Sequence, residues 1–200
     1  MDAVTRTIVD LIESTDIADL TDLIDVAKLA FLDYIASLGA AEECESVQAM
    51  ARFVNRGVIK PEDKALYYGF ASHYLDLDDA QANLAGHFST VLYSALLAVL
   101  ERHDSWQDLF RAYIIGAELE GIIGSLINPA HRTQGWHSTS TVGVIGATAA
   151  IGALRGIRGE SLASLLSLSA TQSAGMAFQS GSDGKPVHAG LAARNAVWTY

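Results

Sequence analysis

Two hundred residues, half of them hydrophobic and 18% charged, are enough for one ordinary domain with a substantial core. A formal net charge of −10 argues against nucleic acid as a partner. A single cysteine, Cys44, excludes an internal disulfide and a cysteine-ligated iron–sulfur cluster.

The N-terminus, "MDAVTRTIVDLIEST", has early acidic residues and no uninterrupted apolar stretch. It therefore does not read as a signal peptide, and a cytoplasmic location, or else an organelle lumen, is expected. "TDLIDVAKLAFLDYIASLGA" spaces Leu23, Val26, Ala27, Ala30, Phe31, Ile35 and Leu38 as one face of a helix, with Thr21 placed to cap its start and Gly39 its end. "HFSTVLYSALLAVLERH" is apolar nearly all round, which predicts a buried helix. "SWQDLFRAYIIGAELEGIIGSLI" opens with Ser105 and Asp108 close to capping-box spacing and stops at Asn128-Pro129. In "STVGVIGATAAIGALRG", Gly143, Gly146, Ala147, Ala150 and Ala153 predict a helix that a neighbouring backbone can approach closely. This run is too short and too rich in Gly and Ala to be a membrane span. "GESLASLLSLSATQSAGMAF" gives a further helix.

With no alternating strand pattern, no repeat and three prolines, the chain reads as an all-α, multi-helix domain. About eight helices are expected around one or two buried central ones. The mean hydropathy of +0.23 is high enough to suggest an oligomer interface. The last residues, "GLAARNAVWTY", read as the middle of a helix. Residues 1–200 are accordingly expected to be one helical domain at the front of a longer protein.

Polar groups stand in apolar or glycine-rich surroundings at four places: the Asp33-Tyr34 pair, "HYLDLDDAQANLAGHFS", "HRTQGWHSTSTVG" and "QSGSDGKPVHAG". Residues 10 to 46 are mostly acidic, whereas His131, Arg132, His137, Arg155, Arg158, Lys185 and His188 make the second half able to bind a small anion. Asp76, Asp78 and Asp79 lack the ligand register of a calcium loop. His73 and His87 lack the helical spacing of a two-histidine zinc site. "DLDD" matches the proton-donor tetrapeptide of class II terpene cyclases, a third and poorer alternative, since those enzymes need an aromatic-lined cavity in a much longer chain and aromatics here are 8%. The remaining alternative is a helix end whose aspartates cap backbone N–H groups. His137, before a glycine-rich helix, is placed either to touch a bound carboxylate or to be merely polar in a capping loop. "GKPVHAG" reads either as a surface turn with a solvated Lys185 or as part of a functional site. His103 and Cys44 read as incidental.

Together and in this order, "HYLDLDDA" with "HFS", "GWHSTSTVGVIGATAA" and "DGKPVHAGLAA" resemble the three motifs of the MmgE/PrpD family, from about residue 5 to residue 198. "LDYIASLGA" resembles the family's opening helix. The family includes 2-methylcitrate dehydratase, cis-aconitate decarboxylase and iminodisuccinate epimerase. The resemblance implies a cofactor-independent lyase or isomerase acting on a small di- or tricarboxylate, without metal, and a homodimer formed largely through the helical domain. It also implies a second, smaller α+β domain, which is absent from these 200 residues. By the same resemblance Asp76, His87, His137 and Lys185 are the catalytic set. His73, Asp79, Thr139 and His188 are placed on the substrate-binding side, although Asp78 and Asp79 also read as caps or supports. Three departures bear on the reaction: Ala80 stands where the family has Thr, Phe88 where it has Pro, and the step from Asp76 to His87 is one residue longer than in the decarboxylase branch. These departures, with the missing second domain, keep open a rival: a degenerate, non-catalytic dimerisation domain.

Overall fold

The computed structural model describes residues 1–15 and 21–200. The side chain of Thr21 is not among the described groups, so the cap expected there lies outside them. Among the described residues eleven α-helices follow in order: α1 Ala3–Ser14, α2 Thr21–Ala40, α3 Glu45–Val54, α4 Pro61–Ser72, α5 Ser89–Val99 and α6 Trp106–Ile127. Then come α7 Ala130–Thr133, α8 Ser138–Thr141, α9 Gly143–Leu154, α10 Gly159–Ala170 and α11 Gly184–Thr199. Among the described residues there is no strand, only two isolated bridges, Gln81 to Gly86 and Trp136 to Met176. None of these helices is long and apolar enough to cross a membrane. The all-α expectation holds, with nine helices of ten residues or more among the described residues where about eight were expected.

Local chemistry sets several of the ends. Ser105 accepts from the Asp108 N–H at 3.1 Å while Asp108 accepts from the Ser105 N–H at 3.3 Å, which is the reciprocal box that starts α6. Pro61 opens α4 at a position where its missing N–H is harmless. Asp2 accepts from the N–H groups of Val4 and Thr5 to start α1.

Helix α5 sits in the middle, packed by α2, α4, α6, α9 and α11. Every residue of it except Leu97 is buried. Each enclosed leucine, such as Leu92 or Leu96, contributes on the order of 1.5–3 kcal/mol of burial energy. Helix α9 is almost as enclosed, because Gly116 of α6 meets the Gly146 backbone and no side chain fits between them. The small-residue run thus does what its composition implies.

The face of α2 differs from the expected one. Leu23, Val26 and Ile35 are exposed, and the buried face is Ala27, Phe31 and Tyr34 with Ile24, Ala30 and Leu38. The helix is apolar on more than one side. The aromatic side wins, because Tyr34 and Phe31 pack on Tyr93, and the Tyr34 hydroxyl is 3.0 Å from Ser94 Oγ. Tyr34 of the Asp33-Tyr34 pair is therefore a core residue.

One crossing positions the site. Gly69 of α4 and Gly190 of α11 touch so closely that a Cβ on Gly69 would lie 2.9 Å from Gly190 Cα. That contact sets the first turn of α11, with Lys185 and His188, beside the C-terminal end of α4 at His73.

Candidate active site

The polypeptide leaves α4 through a left-handed residue, Asp76 (φ 58°), which aspartate tolerates better than most side chains. This turn separates the three aspartates. Asp76 faces out, with its side chain 57% exposed, and binds the Lys185 ammonium through Oδ1. Asp78 turns inward and is only 5% exposed. Its Oδ2 is 2.8 Å from His73 Nδ1 and 3.3 Å from His87 Nδ1. Asp79 turns to α5, where it accepts from the Ser89 N–H at 3.1 Å and from the Ser89 hydroxyl, with the Tyr113 hydroxyl also close. Asp79 is thus the cap of α5, and the plain capping alternative describes this one aspartate.

Three further residues complete the wall. His87 Nε2 lies 3.4 Å from Asp76 Oδ1, and the His87 N–H donates to Thr139 Oγ1 at 3.1 Å. His137 precedes α8; its N–H donates to Gly175 O, and its ring lies 5.7 Å from His73 and 5.6 Å from His188 between centroids. The result is four imidazoles in a row, 87–73–137–188, with carboxylates at one end.

A cavity of about 670 Å³ opens against this wall, lined by Asp76, His87, His137, Thr139, Lys185 and Arg132. Ala80, Gln81 and Ser180 also reach it. His73, Asp79 and His188 do not line it. His73 is enclosed behind His87, Asp79 caps α5, and His188 lies beyond His137 with its carbonyl accepting from Ser140 Oγ. His131, 2.7 Å from Thr141 Oγ1 and stacked on Trp136, is also outside. A second groove of about 340 Å³, between α2 and α6, is lined mainly by aliphatic residues and holds Glu118 but no histidine or lysine. In the sequence Arg132 stands only among the polar groups of "HRTQGWHSTSTVG" and among the basic residues able to bind a small anion, without a role of its own, since a lone arginine carries no spacing signal.

Electrostatics divides the histidines. Burial pushes the His73 pKa down despite Asp78. For His87 burial also presses downward, but the Asp78 carboxylate outweighs it and raises the value. Burial, aided by the neighbouring imidazoles and Lys185, lowers His137 to about 3, so its ring is neutral. Burial is the largest influence on Asp76 and Asp78 and works to raise both. Lys185 and the histidines overcome it at Asp76, and His73 with His87 overcome it at Asp78, so both stay ionised.

His73, Asp76, Asp78 and His87 each offer a ligand atom within 4.8 Å of the others. The helical-spacing argument against a two-histidine metal site therefore fails, because a loop and not a helix brings these histidines together. What opposes a divalent cation is Lys185, whose ammonium already occupies the open side of Asp76, while Asp78 is committed to two imidazoles.

The MmgE/PrpD N-terminal domain matches residues 6–199. The chain belongs to the MmgE/PrpD family. No curated protein matches it in a sequence comparison. The match spans every helix of ten residues or more except the first three residues of α1, so the cavity lies wholly within the matched domain.

Proposed function

We propose that this domain carries the acid–base groups of a cofactor-independent lyase or isomerase, 2-methylcitrate dehydratase-like, acting on a small di- or tricarboxylate. The observation that carries the reading is the convergence of a neutral His137, an Asp78-backed His87 and a Lys185–Asp76 pair on one cavity. Moving a proton beside a carboxylate needs a base and a positive field for the charge that develops on the carboxylate. His137 is the base: its ring is neutral, and a bound anion would raise its pKa towards working pH. His87 is the acid, since Asp78 favours its protonated form. Lys185 supplies the fixed positive charge, with Asp76 orienting it. In a dehydration His137 takes the proton from carbon and His87 gives its proton to the departing hydroxyl, which leaves as water. In an epimerisation His137 takes the proton from one face of the carbon and His87 returns one to the other; in a decarboxylation the bond from carbon to one carboxylate breaks, carbon dioxide leaves and His87 protonates the carbanion.

The proposal extends to assembly and setting. Leu23, Val26, Leu29 and Leu32 form an exposed apolar row on α2. Such rows mark contact surfaces, and a second copy of the chain is the proposed occupant. The domain is read as the front part of a longer, two-domain cytoplasmic protein.

Assay of the protein, in the full length of its natural chain, on 2-methylcitrate, cis-aconitate and iminodisuccinate, each with and without EDTA, tests this. Turnover of one acid that survives EDTA is the expected result. Loss with the chelator would overturn the cofactor-independent reading, and no turnover by folded protein would overturn catalysis.

A further inference from the structure

Four basic side chains line the cavity, and in three of them the charge is partly offset by a neighbouring carboxylate or absent. Lys185 is against Asp76. His87, when protonated, is balanced by Asp76 at 3.4 Å and Asp78 at 3.3 Å. His137 is neutral. Arg132 differs, because among the described residues no carboxylate forms an ion pair with it. Its recorded hydrogen bond is from Nη1 to Ala85 O at 3.2 Å. A guanidinium has five N–H donors in a planar fork, so most of this one is free to bind an anion.

The charges of the wall make the same point. Asp76 and Asp78 offset Lys185 and a protonated His87, so that Arg132 is left as the excess positive charge at the mouth. In a chain of net charge −10, this is where an incoming anion is drawn. The backbone prepares the position: Ala85 is left-handed (φ 52°) and its carbonyl receives Arg132 from across the loop. Beside it Ala80, Ala82 and Gly86 leave the cavity floor free of bulky side chains.

We propose that Arg132 is the specificity-determining anchor of this cavity, gripping one carboxylate of the ligand through its fork while a second carboxylate lies at Lys185 and His137. The site then selects acids with two or more separated carboxylates over monocarboxylates. This rests on the carboxylate reading above and adds the residue that sets the charge class. Arginine suits the task because two parallel N–H groups match one carboxylate, which a lysine cannot reproduce.

Isothermal titration calorimetry with tricarballylate and with butyrate tests it on wild type, Arg132→Gln and Arg132→Lys. Wild type should bind tricarballylate. Arg132→Gln should weaken that binding roughly 10- to 100-fold, with Arg132→Lys between them, while butyrate binding stays equally weak in all three. Equal tricarballylate affinity in wild type and Arg132→Gln overturns the anchor and leaves the carboxylate reading intact. Failure of wild type to bind either acid overturns both. An equal fall for both acids in Arg132→Gln overturns the selectivity and marks a merely structural role.

Discussion

His73 and His87 meet edge to face, with ring centroids 4.6 Å apart, over the single buried carboxylate of Asp78. The same carboxylate serves both rings, yet their pKa values move in opposite directions because His73 is the more enclosed.

Asp78→Asn should therefore lower the His87 pKa, read as the ring C–H shifts in an NMR titration, and leave His73 neutral. Stability should fall by about 3–5 kcal/mol, the usual loss when one partner of a buried pair is removed. The sign with pH is set by the depressed carboxyl. Asp78 contributes stability above its unfolded value of 3.8, and that contribution is lost as pH falls towards its native value. The raised His87 contributes below 6.5 and its share is lost as pH rises through the native value. Chemical denaturation across pH should show both slopes in wild type and neither in Asp78→Asn.

Glu120 offers the opposite sign. It is fully enclosed on α6 against Gly146, and neither carboxyl oxygen has a hydrogen-bond partner. Burial, with Asp79 nearby, pushes its pKa well above the ordinary 4.5, which favours the neutral, protonated carboxyl in the folded protein. Stability should fall as pH rises above 4.5, by up to about 1.4 kcal/mol per unit until the native pKa is reached. Glu120→Gln removes this dependence. The melting-temperature gain of the variant over wild type should be larger at about pH 8 than at about pH 5. A pH-independent difference would contradict the assignment.

Gly190→Ala should cost about 1–3 kcal/mol, because the new Cβ would sit 2.5 Å from Leu66 O. It should also push the first turn of α11 away from His73, loosening Lys185 from Asp76. Gly39→Ala, with nothing within 4 Å, should be neutral or stabilise by up to about 1 kcal/mol. Urea melts of the two variants make the comparison.

Lys185→Ala should turn the His73–Asp76–Asp78–His87 cluster into a transition-metal site, since the ammonium that opposes a cation is then gone. Added Co²⁺ should give the visible bands of a tetrahedral centre in the variant and not in wild type. Equal bands in both would show that Lys185 does not guard the cluster.

Much of this was legible in the sequence wherever a pattern is local. The α6 capping box, the largely apolar α5, the small residues of α9 and the three polar motifs need only neighbours in the chain. The outward side of α2 was not legible, since a helix apolar on more than one side does not say which side meets Tyr93. Nor was the division of labour among the aspartates, because the left-handed Asp76 decides which carboxylate faces inward. "GKPVHAG" reads as a turn, yet Gly184 opens α11, where Pro186 falls in the first turn and is tolerated. Arg132 becomes visible only when the loop at Ala85 and α7 come together.

The central claim is that His137 moves a proton at a carbon beside a carboxylate without a metal. Proton NMR in D₂O with EDTA reads this directly, by following deuterium entry at that carbon of 2-methylcitrate, cis-aconitate or iminodisuccinate. Wild type should exchange with one of the acids, and His137→Ala should slow it by roughly 10²–10⁴-fold. Exchange by His137→Ala at the wild-type rate, or none by wild type with any of the three, would contradict the account.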